Sequence, residues 1–178
     1  MELPTTNQRE YLCARFPAPK EFFGVRVSGL RVGHFIALTL SGNPFLPDGR
    51  SGEDQYQRGD VAELLDTLRQ EPTEIRTRSR RQRLIAARLM FWGDDRYWAE
   101  VQRLFEWINL QQSPPECWPA KGAGRSLGGA LLSRIQHTLR ISDEDFLNRP
   151  LKAAIWEWLT VLEEKEAVQI MSDFERNA

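Results

Sequence analysis

The fold class is decided by residues 94–110, which read DDRYWAEVQRLFEWINL. Apolar residues recur there at intervals of three and four, the spacing that places side chains on one face of an α-helix. Gly93 and the two aspartates that follow it separate this segment from the one before. We therefore expect an amphipathic helix whose buried face contains Tyr97, Trp98, Val101, Leu104, Phe105 and Ile108.

Segments on both sides of this helix show the same kind of spacing. A helix over 30–40 is predicted to end at Gly42-Asn43-Pro44, and Asp60 is predicted to cap another from 61 to about 70. An arginine-rich helix over 74–91 follows Pro72. Later helices are predicted over 126–139 and from Pro150 to about Met171, with Ser142 and Asp145 forming a capping box between them. The expected buried residues of the 30–40 helix are Leu30, His34, Ile36, Leu38 and Leu40.

The remaining stretches lack helical spacing. Residues 1–21 are polar and contain three prolines, which predicts a flexible arm. Residues 21–27 (EFFGVRV) suit a lone strand or an extended segment on the core, and 111–125 are irregular. We predict an all-α fold, a single compact domain of about six helices over 22–172, with an irregular N-terminal arm over 1–21 and a C-terminal tail over 173–178.

Composition favours a soluble globular protein. The 178 residues are 41% hydrophobic and 28% charged, with a net charge of −1 that gives no overall attraction to nucleic acid or membrane. Charge is uneven: residues 1–90 carry 14 basic and 11 acidic side chains, and residues 91–178 carry 10 and 14. No signal peptide and no apolar run of about 20 residues is present, so we expect a cytoplasmic protein, without membrane contact.

Residues that commonly perform catalysis are scarce and widely separated. The chain has two histidines, His34 and His137, and two cysteines, Cys13 and Cys117. None stands at the spacing of a metal site or of a nucleophile and its base. The glycines at 122–129 are not followed by the Gly-Lys-Ser/Thr of a phosphate-binding loop. We expect no catalytic residue, cofactor or metal, and an enzyme is only our third hypothesis.

Arginines are concentrated between residues 74 and 91. On a helix over that range, Arg76, Arg80 and Arg83 would share one face. Such a face could neutralise phosphates, so a nucleic-acid-binding accessory protein using this helix is our alternative hypothesis. Aromatic residues are not interleaved with the arginines to stack on bases, and lysine is almost absent. Contact with protein or solvent is therefore the favoured interpretation.

Tryptophans provide further candidates for protein binding. Trp92 and Trp118 lie at a helix end and in a loop, where large aromatics often mark contact surfaces. Trp156 and Trp158 cannot both face inward on one helix. Because Trp158 aligns with Leu151, Ile155 and Leu162, we expect Trp158 in the core and Trp156 partly exposed. The acidic residues of the last helix and tail are expected to form a solvated face or to meet a basic partner: Glu157, Glu163, Glu164, Glu166, Asp173 and Glu175.

Several short stretches in order resemble small helical phage and prophage proteins of the tail assembly chaperone type. They are Phe23-Gly24-Val25-Arg26-Val27, Leu30-Arg31-Val32-Gly33-His34 through Leu38, Gly42-Asn43-Pro44-Phe45, Gly59-Asp60-Val61, and Pro150-Leu151 with Ala154, Trp156 and Glu163-Glu164. The resemblance spans roughly 22–170, but the 111–125 loop and the arginine-rich helix have no counterpart in it. It implies a non-enzymatic factor that binds the long, aggregation-prone tape-measure protein in the host cytosol during tail assembly. The oligomeric state remains open.

Overall fold

Helices dominate the computed structural model, which describes residues 6–47, 49, 56–77, 79–113, 117–118, 129–164 and 169–170. The predicted all-α class is confirmed, with eight helices in these residues where about six were expected. The helices are α1 (Thr6–Arg15), α2 (Val32–Ser41), α3 (Arg58–Thr67), α4 (Arg80–Leu89), α5 (Asp94–Gln112), α6 (Gly129–Leu139), α7 (Asp143–Asn148) and α8 (Leu151–Glu164). The strands are β1 (Lys20–Phe22), β2 (Val25–Val27), β3 (Cys117–Trp118) and β4 (Gln169–Ile170).

Strands β1 and β2 form an antiparallel hairpin, so the lone strand or extended segment expected over 21–27 is corrected to two paired strands. Phe23 and Gly24 make the turn with φ angles of 54° and 70°, as a two-residue type I′ turn requires. Phe23 is buried against Trp92 and Tyr97, with ring centroids 4.9 and 5.6 Å away. Packing therefore holds a phenylalanine in a backbone conformation that normally favours glycine.

One apolar core joins the hairpin to helices α2 through α8. Most of the predicted buried face of α5 is confirmed, but Trp98 is 51% exposed and Trp107 is buried instead. Trp107 lies against Phe22 of the hairpin, with ring centroids 5.3 Å apart. The hairpin thus covers a side of α5 that helical spacing alone could not identify. Leu40 was also expected to be buried but is 83% exposed, because it lies two positions, or about 200°, beyond the buried Leu38.

The predicted N-terminal arm contains a helix. Within 1–21, residues 6–15 form α1, which packs on α8. Tyr11 donates its hydroxyl hydrogen to Oε1 of Glu157 at 3.1 Å, and Ala14 is buried. The segment has little apolar periodicity, so its helical structure depends on these contacts with a distant part of the chain. Prolines 17 and 19 follow the helix and leave it intact.

Helix ends were predicted with mixed success. Gly42 ends α2 in the left-handed conformation and Ser142 caps α7, both as expected. The arginine-rich helix begins at Arg80 and not at 74. The last helix ends at Glu164 and not at 171, and Gln169–Ile170 instead pair with Cys117–Trp118, a partner that local helical spacing does not reveal. The predicted tail at 173–178 and helix start at 126–128 lie outside the described residues.

Candidate protein-binding surface

Helix α4 buries very little of its own surface. Only Ile85 and Leu89 of its ten residues are fully buried, and they pack into the common core. These two positions are about 40° apart around the helix axis, so a narrow strip holds α4 in place. Most of the circumference of α4 is therefore left facing away from the core.

The side opposite that strip carries large apolar residues. Leu84 is 70% exposed, Met90 is 69% exposed and Phe91 is 90% exposed. Met90 and Phe91 lie in the turn that directly follows α4, and Phe91 is seven residues after Leu84, about two helical turns, so the two lie on a similar side. We call this the α4 outer surface and define it as Arg80, Arg83, Leu84, Ala87, Met90 and Phe91, all of which are exposed. A cluster of this kind on a small protein is typical of an interaction site.

The start of α4 is fixed by Ser79, which directly precedes the helix, and by Asp66 of α3. Ser79 Oγ accepts a hydrogen bond from the backbone N–H of Gln82 at 3.0 Å, which makes Ser79 the N-cap. The same hydroxyl donates to Oδ2 of the buried Asp66 at 2.6 Å. Asp66 belongs to α3, so the cap also ties α4 to its neighbour. This double role explains why the helix begins at Arg80.

The end of α4 is held by Arg58 of α3. Its Nε donates to the carbonyl of Leu89 at 3.1 Å and its Nη2 to the carbonyl of Trp92 at 3.3 Å. Nη2 also contacts Oδ1 of Asp94 at 2.8 Å, and the guanidinium lies 4.7 Å from the ring centroid of Tyr97. A cation that satisfies terminal carbonyls stabilises the end of a helix. Both ends of α4 are therefore anchored on α3.

Tyr97 is buried beneath the end of α4, next to Arg58. Its hydroxyl donates to the carbonyl of Tyr56 at 2.7 Å. Burial raises the pKa of Tyr97 to about 12, although the nearby Arg58 opposes the shift. The tyrosine therefore stays neutral at physiological pH and acts as a hydrogen-bond donor and a packing surface.

The predicted arginine face is only partly correct. Arg80 and Arg83 lie together on α4, but Arg76 precedes the helix. The backbone N–H and C=O of Arg76 are both bonded to the side-chain amide of Gln70, at 2.6 and 3.2 Å. This contact wraps the segment around Gln70 and prevents it from joining the helix. Arg78 lies outside the described residues.

The arginines on this side have few partners. Within the described parts of the chain, no ion pair joins Arg76, Arg80, Arg81 or Arg83 to an acidic side chain. Arg88 donates to the carbonyl of Gly24 at 3.5 Å. From Ser79 to Trp92 the sequence contains no acidic residue. The α4 outer surface is therefore positively charged as well as apolar.

Trp92 lies just beyond this surface and is partly buried. It packs edge-on against Phe23, and the Arg96 guanidinium lies 4.2 Å from its ring centroid. One side of Trp92 lines an open cavity of about 430 Å³ between the hairpin turn and the start of α5. Because Trp92 directly follows Phe91 in the chain, it lies at the edge of the α4 outer surface. Its contact with a partner remains a prediction.

Trp156 and Trp158 have the opposite exposure from that expected. Trp156 is 4% exposed, while Trp158 is half-buried. Trp156 is covered by α1, where its ring contacts Tyr11 edge-on with centroids 6.4 Å apart. A buried side chain cannot serve as an exposed contact, so this part of the site prediction is corrected. Trp118 lies in β3, and its side chain is outside the described portion of the structure.

His34 supports the segment that leads to α4. It is fully buried, and its Nε2 donates to the carbonyl of Gln70 at 3.0 Å when Nδ1 accepts from the backbone N–H of Arg31. Burial lowers the pKa of His34 to about 4, with a smaller contribution in the same direction from Arg31. The predicted structural role of this histidine agrees with its position.

The residues missed by sequence reasoning are Leu84, Met90 and Phe91. Their signal was present, because each lies about 100–160° around the helix axis from Ile85 and from Leu89, outside the narrow strip that faces the core. Among the described residues, no three His, Cys, Asp or Glu side chains are grouped so that they could hold a metal ion. The helices in the described ranges are all too short or too polar to cross a membrane.

Comparison with protein-family models finds no matching family, and comparisons with curated proteins and with solved structures find no significant match.

Proposed function

We propose that this protein acts by binding another protein through the α4 outer surface. The observation that carries the proposal is the exposure of Leu84 on α4 and of Met90 and Phe91 in the turn directly after it, while both ends of the helix are anchored. An apolar cluster on a rigid element can bind a partner with little loss of conformational entropy. Nothing in this role requires a catalytic residue or a cofactor, and we propose none.

The particular role we propose is that of a chaperone-like factor for phage tail assembly, acting in the cytoplasm of the host cell. The resemblance in sequence motifs over roughly 22–170 supports this choice. A tape-measure protein presents long helices with apolar faces before assembly, and an exposed apolar helix would suit the task of covering them. The elongated helical tape-measure protein is accordingly the proposed partner.

Co-expression with a phage tape-measure protein tests the proposal. We expect the wild-type protein to keep the tape-measure protein in the soluble fraction and to co-purify with it. The double variant Leu84→Ser/Phe91→Ser should lose both effects. Leu40→Ser/Leu110→Ser removes two leucines that are also exposed but lie on α2 and α5, and it should behave like the wild type. If the wild type neither co-purifies with the tape-measure protein nor increases its solubility, the proposed role is wrong.

Nucleic-acid binding is the second candidate, favoured by the lack of an ion pair from Arg80 or Arg83 to an acidic side chain within the described residues. If they bound duplex phosphates, log affinity would fall with log salt by about 0.9 per phosphate contact. Large exposed apolar side chains beside the arginines, Leu84, Met90 and Phe91, argue against this function, since a phosphate backbone offers them no apolar surface. Salt-sensitive DNA or RNA binding that disappears in Arg80→Ala/Arg83→Ala would reverse this order of preference.

A further inference from the structure

We propose that the α4 outer surface binds an acidic amphipathic helix of about three to four turns. This inference rests on the proposed protein-binding function and adds the chemistry and shape of the partner segment. It follows from the charge, the spacing and the length of the surface.

Charge complementarity points to an acidic partner. Helix α4 carries four arginines and no acidic residue, and none of the ion pairs among the described residues involves Arg80, Arg81 or Arg83. Arginine suits this role, because its planar guanidinium can bind a carboxylate through two hydrogen bonds. Glutamates flanking an apolar stripe would meet Arg80 and Arg83 when that stripe meets Leu84 and Phe91.

The shape of the surface points to a helix as the bound element. Leu84 and Phe91 form a ridge along α4, with the small Ala87 between them. Ala87 leaves a notch between two large side chains, into which a partner side chain can fit as ridges pack into grooves. From Arg80 to Phe91 the surface is about 16 Å long at 1.5 Å per residue. A partner helix of three to four turns covers that length.

The apolar residues favour a protein partner over nucleic acid. Leu84, Met90 and Phe91 are more exposed than the half-buried Trp92 beside them. Binding an apolar helix face would remove these side chains from water, and this burial is the main driving force of helix-in-groove recognition. Contact with a phosphate backbone would leave them in water.

A synthetic peptide of about four turns, held helical by a lactam bridge, is the probe. It carries leucines at positions i, i+3 and i+7 and glutamates at the flanking positions. Fluorescence anisotropy with the full-length protein should show saturable binding. Arg80→Glu/Arg83→Glu should weaken this binding by about tenfold or more, since both changes invert a charge at the interface. Leu84→Ser/Phe91→Ser should weaken it by a similar factor, and the melting temperature should stay unchanged in both variants.

Three controls make the result specific. Arg134→Glu/Arg140→Glu changes the net charge equally at exposed positions on α6 and directly after it, where the helix packs on α8, and it should leave the affinity within about twofold. A peptide of identical composition with its leucines dispersed around the helix should bind weakly. A peptide with lysine in place of glutamate should bind Arg80→Glu/Arg83→Glu more tightly than it binds the wild type.

Other outcomes would overturn the assignment. If Arg80→Glu/Arg83→Glu and the charge-inverted control weakened peptide binding equally, the peptide would be attracted by net charge alone. If the peptide with dispersed leucines bound as tightly as the amphipathic peptide, the apolar face would have no role in binding. If a DNA duplex bound more tightly than the acidic peptide, and if this binding were lost in Arg80→Glu/Arg83→Glu, the surface would be assigned to nucleic acid. Failure of tape-measure co-purification with normal peptide binding would refute only the tail-assembly role. Normal co-purification with no peptide binding would refute this inference alone.

Discussion

Helices α4 and α8 differ sharply in how much of their surface the rest of the molecule covers. Helix α8 buries six residues, contacts α1, α2, α5 and α6, and has Trp158 and Leu162 half-buried as well. Helix α4 buries two and is covered mainly from the side of α3. Both helices carry large apolar residues on more than one face. Helix α8 is packed on two sides, so its apolar residues belong to the interior. Helix α4 is packed on one side, so its other sides face solvent.

The comparison teaches that apolar residues outside the main stripe do not identify a binding surface by themselves. Trp156 was expected from the sequence to be a contact residue, whereas Phe91 was not singled out. Trp156 is covered by α1, which packs on the second face of α8. For Phe91 the described residues provide no such cover, and 90% of it is exposed. The following predictions test this difference, from the largest expected effect to the smallest.

Replacing Trp156 should cause the largest loss of stability. We expect Trp156→Ala to lower the free energy of unfolding by about 3 kcal/mol, near the lower end of the range for a buried aromatic residue. The lower end applies because Nε1 of Trp156 has no hydrogen-bond partner in the described structure, so its removal also relieves an unsatisfied donor. Urea unfolding measures the change. Trp158→Ala is the matched control, and an equal or greater loss there would mean that α8 is not covered on two sides.

Acidification should destabilise the support beneath α4. The pKa of His34 is about 4 in the folded protein against an ordinary value of 6.5, so the unfolded chain binds the proton more tightly. Stability is then fully present above pH 6.5, falls as the pH drops towards 4, and loses about 3 kcal/mol in total. Urea unfolding at several pH values measures the slope. His34→Gln should flatten it between pH 6.5 and 5, and an unchanged slope in that variant would contradict the assignment to His34.

Removing the N-cap should loosen α4 itself. Ser79→Ala deletes the bond to the N–H of Gln82 and the bond to Asp66. We expect a loss of about 1–2 kcal/mol. Hydrogen exchange should become faster in the first turn of α4 and stay unchanged in α8. Unchanged exchange in α4 would show that Ser79 does not hold this helix.

Polar substitution on the α4 outer surface should have almost no effect on stability. Leu84→Ser changes a side chain that is 70% exposed, so the free energy of unfolding should change by no more than about 0.5 kcal/mol. Thermal unfolding checks this expectation. A loss as large as that of Trp156→Ala would mean that Leu84 is part of the core and not of a binding surface.

Much of the helical framework could be predicted from the sequence. The spacing of Val101, Leu104 and Ile108 located α5, and Gly42 and Ser142 marked helix ends, because helical period and capping are local properties. Helix α1 and the β3–β4 pair were missed since each depends on contacts with distant segments. The exposure of Trp156 was predicted wrongly for the same reason, because its cover is a helix that the sequence pattern did not indicate.

The candidate site was only partly predictable. The sequence drew attention to the arginines of 74–91, and Arg80 and Arg83 do lie on α4. Arg76 was misplaced because Gln70 binds its backbone and delays the helix, a side-chain interaction without a sequence signature. Leu84, Met90 and Phe91 could have been found from the same helix, once Ile85 and Leu89 are taken as its buried strip.

Site-specific photo-crosslinking tests the central claim most directly, that the α4 outer surface and no other exposed apolar position contacts the partner. A benzophenone amino acid is placed at Phe91, directly after α4, or at Leu40 on α2, which are 90% and 83% exposed, and each variant is co-expressed with the tape-measure protein. Irradiation should give a crosslinked complex from position 91, abolished by Arg80→Glu/Arg83→Glu, and none from position 40. Crosslinks of equal yield from both positions, or from position 40 alone, would contradict the account.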